Sequence, residues 1–299
     1  MKIAVTGGSG AIGRVVCDEL MRAGHEMRCL DRVEPNFEVE FQQVDLTQLG
    51  EAQKAVRGCD QIVHLAAIPD PFGGDRLEDV FGINTTSSYC VFEAARLEEI
   101  GRVVYGCSES STGFGIHHVK LMPEYVPIDE EHPLWPHESY SLSKHFGERI
   151  GVNYAKAFGM EVISLRYVWV WTKRVEEGAR QIIDRARTGD VPEEVGGFGA
   201  YIGVRDVASA CARSVAYVFP EGDGVPFEAF FLAARSPFFP LPTLELLERS
   251  LGECPPVRDE AYFEADPFAS VFDLRKAKRL LGWEPKCDWR ETDLDEWEF

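Results

Sequence analysis

The chain has 299 residues, 45% of them hydrophobic and 27% charged, with a formal net charge of −19 and a pI of about 4.8. That length suits one large α/β domain, or a domain with a smaller lobe, and buries a sizeable core without covalent staples. A negative field of this size repels nucleic acid and anionic membranes, so neither is expected as a partner.

Taken in chain order, strand-length apolar runs alternate with amphipathic segments. Residues 2–6 ("KIAVT") read as a strand and 11–23 as a helix. Strands follow at 27–31, 39–44 and 61–66, then a helix over 77–98, a strand at 102–107, a helix over 139–158 and a strand at 161–166. Strands alternating with helices imply parallel pairing through right-handed crossovers, that is, an α/β doubly wound parallel sheet. The alternation then breaks. Residues 172–200 hold one helix and the turn "VGGFGA", after which a helix (205–218) and a strand (227–234) return to the sheet. The Pro- and Phe-rich "RSPFFPLP" opens a run of short helices that closes with "LRKAKRLLGWEP".

Eight cysteines stand at positions 17, 29, 59, 90, 107, 211, 254 and 287 with no Cys-x-x-Cys pair. They read as buried free thiols of a cytoplasmic protein. "MKIAVTGG" enters a strand without a signal-peptide pattern, and no apolar run reaches bilayer length.

Gly7, Gly10 and Gly13 lie where the first strand meets the first helix. The first allows a sharp turn, the second a close approach to a pyrophosphate, and the third tight helix–strand packing. The helix N-terminus then offers N–H groups and partial positive charge to phosphate. An acidic residue about twenty positions on completes the context a glycine triplet needs. That residue is Asp31, whose carboxylate suits both hydroxyls of an adenosine ribose and repels a 2′-phosphate. The expected cofactor is NAD ahead of NADP, although Arg32 is a partner a 2′-phosphate would accept. Asp45 is placed to receive the adenine amine or to cap a helix starting near Thr47, two roles that do not exclude each other. Ala66 and Ala67 end the fourth strand with small side chains that leave room for a cofactor, while His64 reads as packed.

Tyr140 and Lys144 stand four positions apart, on one face of a helix. With "TGGSGAIG", "HLAA", Asn84 in "GINTTSSYCVFEAAR", "VVYGCSESSTG", "YSLSK", "LRYVWVW" and "RDVASA", the chain resembles the extended short-chain dehydrogenases/reductases of the NAD-dependent epimerase/dehydratase family, from Met1 to about Trp289. The resemblance implies a Rossmann-type sheet with a small C-terminal substrate lobe. Residues 1–171 would bind NAD, with 201–234 returning to that domain, and 172–200 with 235–289 would form the lobe. It implies Tyr140 as proton acceptor or donor, Lys144 as its cationic neighbour and ribose ligand, and Ser108 as the hydroxyl that orients the substrate. A free tyrosine titrates near roughly 10, and Lys144 with the nicotinamide would bring that toward working pH. It places Ala11, Ile12, Leu46 and Leu65 with the glycines, Asp31, Arg32, Asp45, Ala66, Ala67, Asn84, Tyr140 and Lys144 around the cofactor. Asn84 either holds backbone or water beside the active site or is structural. The implied activity is hydride transfer at a sugar carbinol, foremost in a sugar or nucleotide-sugar epimerase. The alternative is an NAD-dependent sugar or uronate dehydrogenase, and the third reading is a non-catalytic cofactor-binding regulator. A homodimer through the Tyr140 helix and the 77–98 helix is implied too.

Three departures bear on the substrate. Glu109 and Ser110 follow Ser108; the dehydratases carry an acid at the second of these positions, so a dehydratase is disfavoured. Trp169 replaces the asparagine that contacts the nucleotide-sugar. In "GGFGAYIGVRDVA", glycine or alanine stands where the family often has an arginine that grips a diphosphate. Glu109, Ser110 and Trp169 are therefore candidate substrate contacts beside Ser108. His117, His118, His132 and His137 cluster in the 116–138 insert without a known ligand spacing, so no metal is expected. Cys107 reads as packed under the strand end. The pairs Trp169–Trp171 and Phe238–Phe239 are either a sugar-stacking surface or lobe core.

Overall fold

The computed structural model describes residues 1–69, 76–115, 120–189, 196–222, 224–291 and 297. Its elements run β1 (Lys2–Thr6), α1 (Gly13–Arg22), β2 (Glu26–Asp31), β3 (Glu40–Gln43), α2 (Leu49–Val56), β4 (Gln61–His64), α3 (Leu77–Leu97), β5 (Arg102–Gly106), α4 (Ser139–Phe158), β6 (Glu161–Tyr167), β7 (Trp169–Trp171), α5 (Glu176–Arg187), β8 (Tyr201–Gly203), α6 (Val204–Ala216), β9 (Phe227–Leu232), α7 (Thr243–Leu251), α8 (Glu260–Ala265) and α9 (Arg275–Leu281).

One seven-stranded sheet has the order β3-β2-β1-β4-β5-β6-β9. Its registers from β3 through β6 are parallel. At the far edge, Val162 N–H bonds Pro226 O and Val168 N–H bonds Leu232 O, an equal advance along both strands as in parallel pairing. The central strands are buried along nearly their whole length, which explains why "KIAVT" and "RVVYG" are continuous apolar runs rather than alternating ones. The order reverses between β1 and β4, the switch point where ligands bind in open α/β sheets.

The chain divides into two compact units. The first comprises Met1–Ser108, Glu138–Leu165 and Ala208–Ala229; the second comprises Glu109–His137, Arg166–Val207 and Phe230–Phe299. In the first, α2, α3 and the strands β1, β4 and β5 enclose a core that includes Ala55, Ile62, Val91, Phe92, Val103 and Tyr105. In the second, Trp171, Tyr201, Phe238, Phe239, Leu246, Trp289 and Trp297 form a largely aromatic core. The parallel pair β7–β8 belongs to that unit. Bridges Val126–Val257 and Ile128–Phe272 tie its first segment to its last.

All eight cysteines are free, six of them buried. Among the described residues no helix is long and apolar enough to cross a membrane.

Candidate active site

The glycine loop is built by exclusion. Gly7 sits at φ +68°, and a Cβ there would lie 2.8 Å from the Ala66 amide nitrogen. A Cβ on Gly13 would fall 2.0 Å from the Gly7 carbonyl oxygen, so α1 packs on the loop only because position 13 has no side chain. Gly10 and Ala11 are exposed at the loop tip, and Ile12 is the residue before α1, its carbonyl accepting from Val15 and Val16.

Asp31 ends β2 and holds this loop. Its Oδ2 accepts from Ser9 N–H at 3.0 Å, and its Oδ1 accepts from Arg32 N–H at 2.7 Å and Val33 N–H at 3.3 Å. A carboxylate oxygen accepts more than one hydrogen bond, so capacity remains for ribose hydroxyls. A loop stripped of side chains against β4, with a carboxylate across it, fits the pyrophosphate and ribose of NAD. Arg32 shares the turn, its carbonyl accepting from Gln43 Nε2 at 3.0 Å.

Asp45 is exposed. Its Oδ1 takes Thr47 N–H at 3.0 Å and Thr47 Oγ1–H at 2.7 Å, bonds that hold its carboxyl below the usual range. The helix-cap alternative fails here: α2 starts at Leu49, with Gln48 preceding it, because the Thr47 hydroxyl captures Asp45 in a local turn first. Leu46 is buried in the core, and Leu65, Ala66 and Ala67 are half-buried beyond the end of β4.

Tyr140 lies in the first turn of α4, and the start of that helix is pinned. Glu138 accepts from the backbone N–H groups of Tyr140 and Ser141, and Ser141 Oγ reciprocates toward Glu138 N–H. Lys144, one turn on, is buried, and its Nζ donates to Gly106 O at 2.8 Å at the end of β5. Its ammonium lies 5.8 Å from the centre of the Tyr140 ring and 5.5 Å from that of Tyr105. Burial brings the Lys144 pKa down to about 8. Ser108 is buried two residues past β5. Cys107 packs there, its thiol directed to Lys144 O at 3.7 Å.

Asn84 grips the chain beyond β4. Its Oδ1 accepts from Ile68 N–H at 2.7 Å, and its Nδ2 donates to Ile68 O and to Ser143 Oγ, both at 3.1 Å. Ser143 in turn donates to Tyr140 O at 2.7 Å. Four residues of this apparatus escaped the sequence reading: Thr6, Ser88, Ser143 and the cap Glu138. Ser143 lies inside "YSLSK", so its i+3 relation to Tyr140 was the available signal. His64 is packed as expected, hydrogen-bonded on both ring nitrogens.

The substrate candidates Glu109, Ser110 and Trp169 belong to the second unit. Glu109 and Ser110 are buried in a 3₁₀ turn, and Cβ atoms on Gly115 and Gly197 would lie 2.4 Å and 3.8 Å from the Glu109 carboxylate. Trp169 is 41% exposed and meets Trp171 and Phe238 edge-on. Trp171, Phe238 and Phe239 are buried, so that part of the aromatic set is core. Gly199, near the arginine position of the family pattern, has φ +70°. A Cβ there would meet Phe239, Leu246 and Pro237 at 3.2–3.4 Å. His117 and His118 lie outside the described residues. His132 is committed within its own unit, Nε2 accepting from Glu124 N–H at 3.0 Å and Nδ1 paired with Pro133 O at 2.8 Å. Among the described residues no group of three or more His, Cys, Asp or Glu side chains could hold a metal ion.

The profile described as "NAD dependent epimerase/dehydratase family" matches residues 3–222. An L-arabinose 1-dehydrogenase (NAD(P)(+)) of Haloferax volcanii is 32% identical over 184 residues, 57% of this chain and 68% of that protein. A putative UDP-glucose 4-epimerase of Methanocaldococcus jannaschii is 26% identical over 97% of this chain and 95% of its own length. A crystal structure of a UDP-galactose 4-epimerase superposes with a TM-score of 0.68 at 25% identity, covering 96% of this chain and 94% of that one.

Proposed function

The chain belongs to the NAD-dependent epimerase/dehydratase family, and on that premise we propose that it oxidises a carbinol of a nucleotide-free sugar and releases NADH. It is an enzyme whose cofactor is NAD. The observation that carries the substrate reading is position 199. It stands in a left-handed conformation, and the direction of its missing side chain is filled by Phe239, Leu246 and Pro237. An arginine there would take a strained left-handed backbone and crowd Phe239, which disfavours a diphosphate fork. The L-arabinose dehydrogenase relative supports the same choice. Nucleotide-sugar epimerisation is the second reading, favoured by the nearly full-length match to the M. jannaschii protein.

NAD, when bound, supplies the hydride acceptor. Gly7, Gly10 and Gly13 would take its pyrophosphate and Asp31 its adenosine ribose, with Ala66 and Ala67 forming the wall beyond β4. Ser108 would hold the carbinol oxygen. Tyr140 would take the hydroxyl proton as the C–H bond breaks, leaving a carbonyl, and would return that proton to solvent. The Lys144 ammonium, 5.8 Å from the tyrosine ring, stabilises negative charge on the phenol oxygen. Below a pH of about 8 that ammonium is present; above it the amine is neutral and the support fades.

Within this reading the protein works in a reducing compartment, the cytoplasm, which its eight free thiols support. It pairs as a homodimer through α3 and α4. Tyr89 (47%), Phe146 (46%) and Phe158 (57%) are exposed on those two helices, more large apolar surface than a solvated helix pair needs. Sedimentation giving a dimer that Phe146→Glu dissociates supports this; a wild-type monomer at micromolar concentration refutes it.

Calorimetry tests the substrate reading. UDP titrated into the NAD-saturated protein should give no binding heat up to about 1 mM, weaker than about −4 kcal/mol. Micromolar UDP binding would favour the epimerase.

A further inference from the structure

We propose that His64 is a positioning residue: its imidazole joins the cofactor-side backbone of Leu65 and Ala66 to Asn84, and through Asn84 to the backbone of Tyr140. All of these residues lie in the first unit.

The direction of every hydrogen bond can be assigned. Thr6 Oγ1 accepts from Leu65 N–H and Ala66 N–H, each at 3.1 Å. With both lone pairs used, its own proton points to His64 Nδ1, 2.7 Å away. Nδ1 therefore accepts, and the ring proton sits on Nε2, which donates to Ser88 Oγ at 3.3 Å. Ser88 donates to the backbone carbonyl of Asn84 at 2.8 Å, one turn back in α3. From the same residue the Asn84 side-chain amide donates to Ser143 Oγ, and Ser143 to the Tyr140 backbone carbonyl, so the backbone of Asn84 links the two runs. At the other end, the Ala66 amide abuts Gly7, where even a methyl group would collide.

Only a neutral imidazole in the Nε2–H tautomer completes this line. A second ring proton on Nδ1 would face the Thr6 hydroxyl proton. Burial first, and the Lys144 ammonium second, hold the His64 pKa down at about 3, so the ring stays neutral across the working range. Such a line orders its members only if every link is made, because a buried polar group left unpaired costs more than the bond it replaces.

Two substitutions divide the line. In His64→Asn the amide oxygen reaches the Nδ1 position and still accepts from Thr6, but nothing donates to Ser88. In His64→Gln the amide nitrogen reaches the Nε2 position and still donates to Ser88, but Thr6 loses its acceptor. Two readouts need no sugar: NAD affinity by quenching of tryptophan fluorescence, and amide hydrogen exchange across residues 138–144. His64→Asn should keep the NAD dissociation constant within about threefold and speed exchange at the start of α4 about tenfold. His64→Gln should weaken NAD about tenfold and leave that exchange within about threefold. Equal effects of both variants on both readouts would reduce His64 to a general packing role and overturn the proposal. Nitrogen-15 spectra of the wild-type imidazole supply a measurement independent of variant folding. They should show a neutral Nε2–H ring that does not titrate between about pH 5 and pH 9. An Nδ1–H ring, or a titration in that range, would contradict it. The failure of the sugar assignment would alter none of these readings.

Discussion

The two units satisfy their buried interiors by different means. In the first, one run of hydrogen bonds leads from Thr6 through His64 and Ser88 to the Asn84 carbonyl, and a second leads from the Asn84 side chain through Ser143 to the backbone of Tyr140. In the second, rings meet rings: Trp171 stacks on Tyr201 at 4.3 Å, Tyr201 lies parallel to Trp297, and Phe238 packs on Phe239 at 4.5 Å. Hydrogen bonds are directional, and an unmade one is costly, so each of these linked positions accepts few side chains. Aromatic packing tolerates many shapes. The first unit's polar residues are therefore spelled in short motifs, while the second unit's aromatic core is spread over residues that no motif captures.

The largest effect should come from breaking the first unit at its reacting end. Tyr140→Phe should lower turnover about 10³-fold and leave NAD affinity within about twofold, read by stopped assays and fluorescence titration. An equal loss of NAD affinity would make Tyr140 a binding group and blur the contrast.

Next in size is the buried ammonium. Its folded pKa of about 8 lies below the unfolded value of about 10.4, so the unfolded chain binds more protons between those values and stability rises with pH there. Below about pH 8 the burial cost is fully present. Denaturant titrations of Lys144→Met and wild type should show the variant's relative stability falling by up to about 3 kcal/mol from pH 8 to pH 10.4. A difference independent of pH would mean that burial leaves the Lys144 pKa at its unfolded value.

Gly13→Ala comes third. Its methyl group must push the Gly7 carbonyl from 2.0 Å, which should cost about 2 kcal/mol in stability and weaken NAD on the order of tenfold. The smallest effect belongs to the second unit. Trp169→Ala should raise the sugar KM about fivefold with kcat and NAD affinity unchanged, because the ring is part-exposed and meets its neighbours Trp171 and Phe238 only edge-on. A fall in kcat instead would place Trp169 in the chemistry and dissolve the division of labour.

The first unit was legible because its signals are local. A glycine triplet after a strand, an acid ending the next strand, and a tyrosine and lysine one turn apart each declare their geometry within a few residues. The expected helix at 139–158 matches α4 to the residue, and Gly159 ends it in a left-handed conformation. Beyond Ser143 and the Glu138 cap, what escaped was long-range. Thr6 and His64 meet across 58 residues, and His64 meets Ser88 across 24. The β7–β8 pair joins "WVW" to "YIG", three-residue strands too short to show a period. The place of residues 109–137 in the second unit depends on bridges to Val257 and Phe272, which no local pattern announces.

The most direct test of the central claim is to follow reduced-nicotinamide absorbance with NAD and either free sugars or UDP-sugars, and to examine the sugars afterwards by NMR. NADH should accumulate in step with oxidation of a free sugar, with no change in any UDP-sugar. A UDP-sugar converted to its epimer with no net NADH would contradict it.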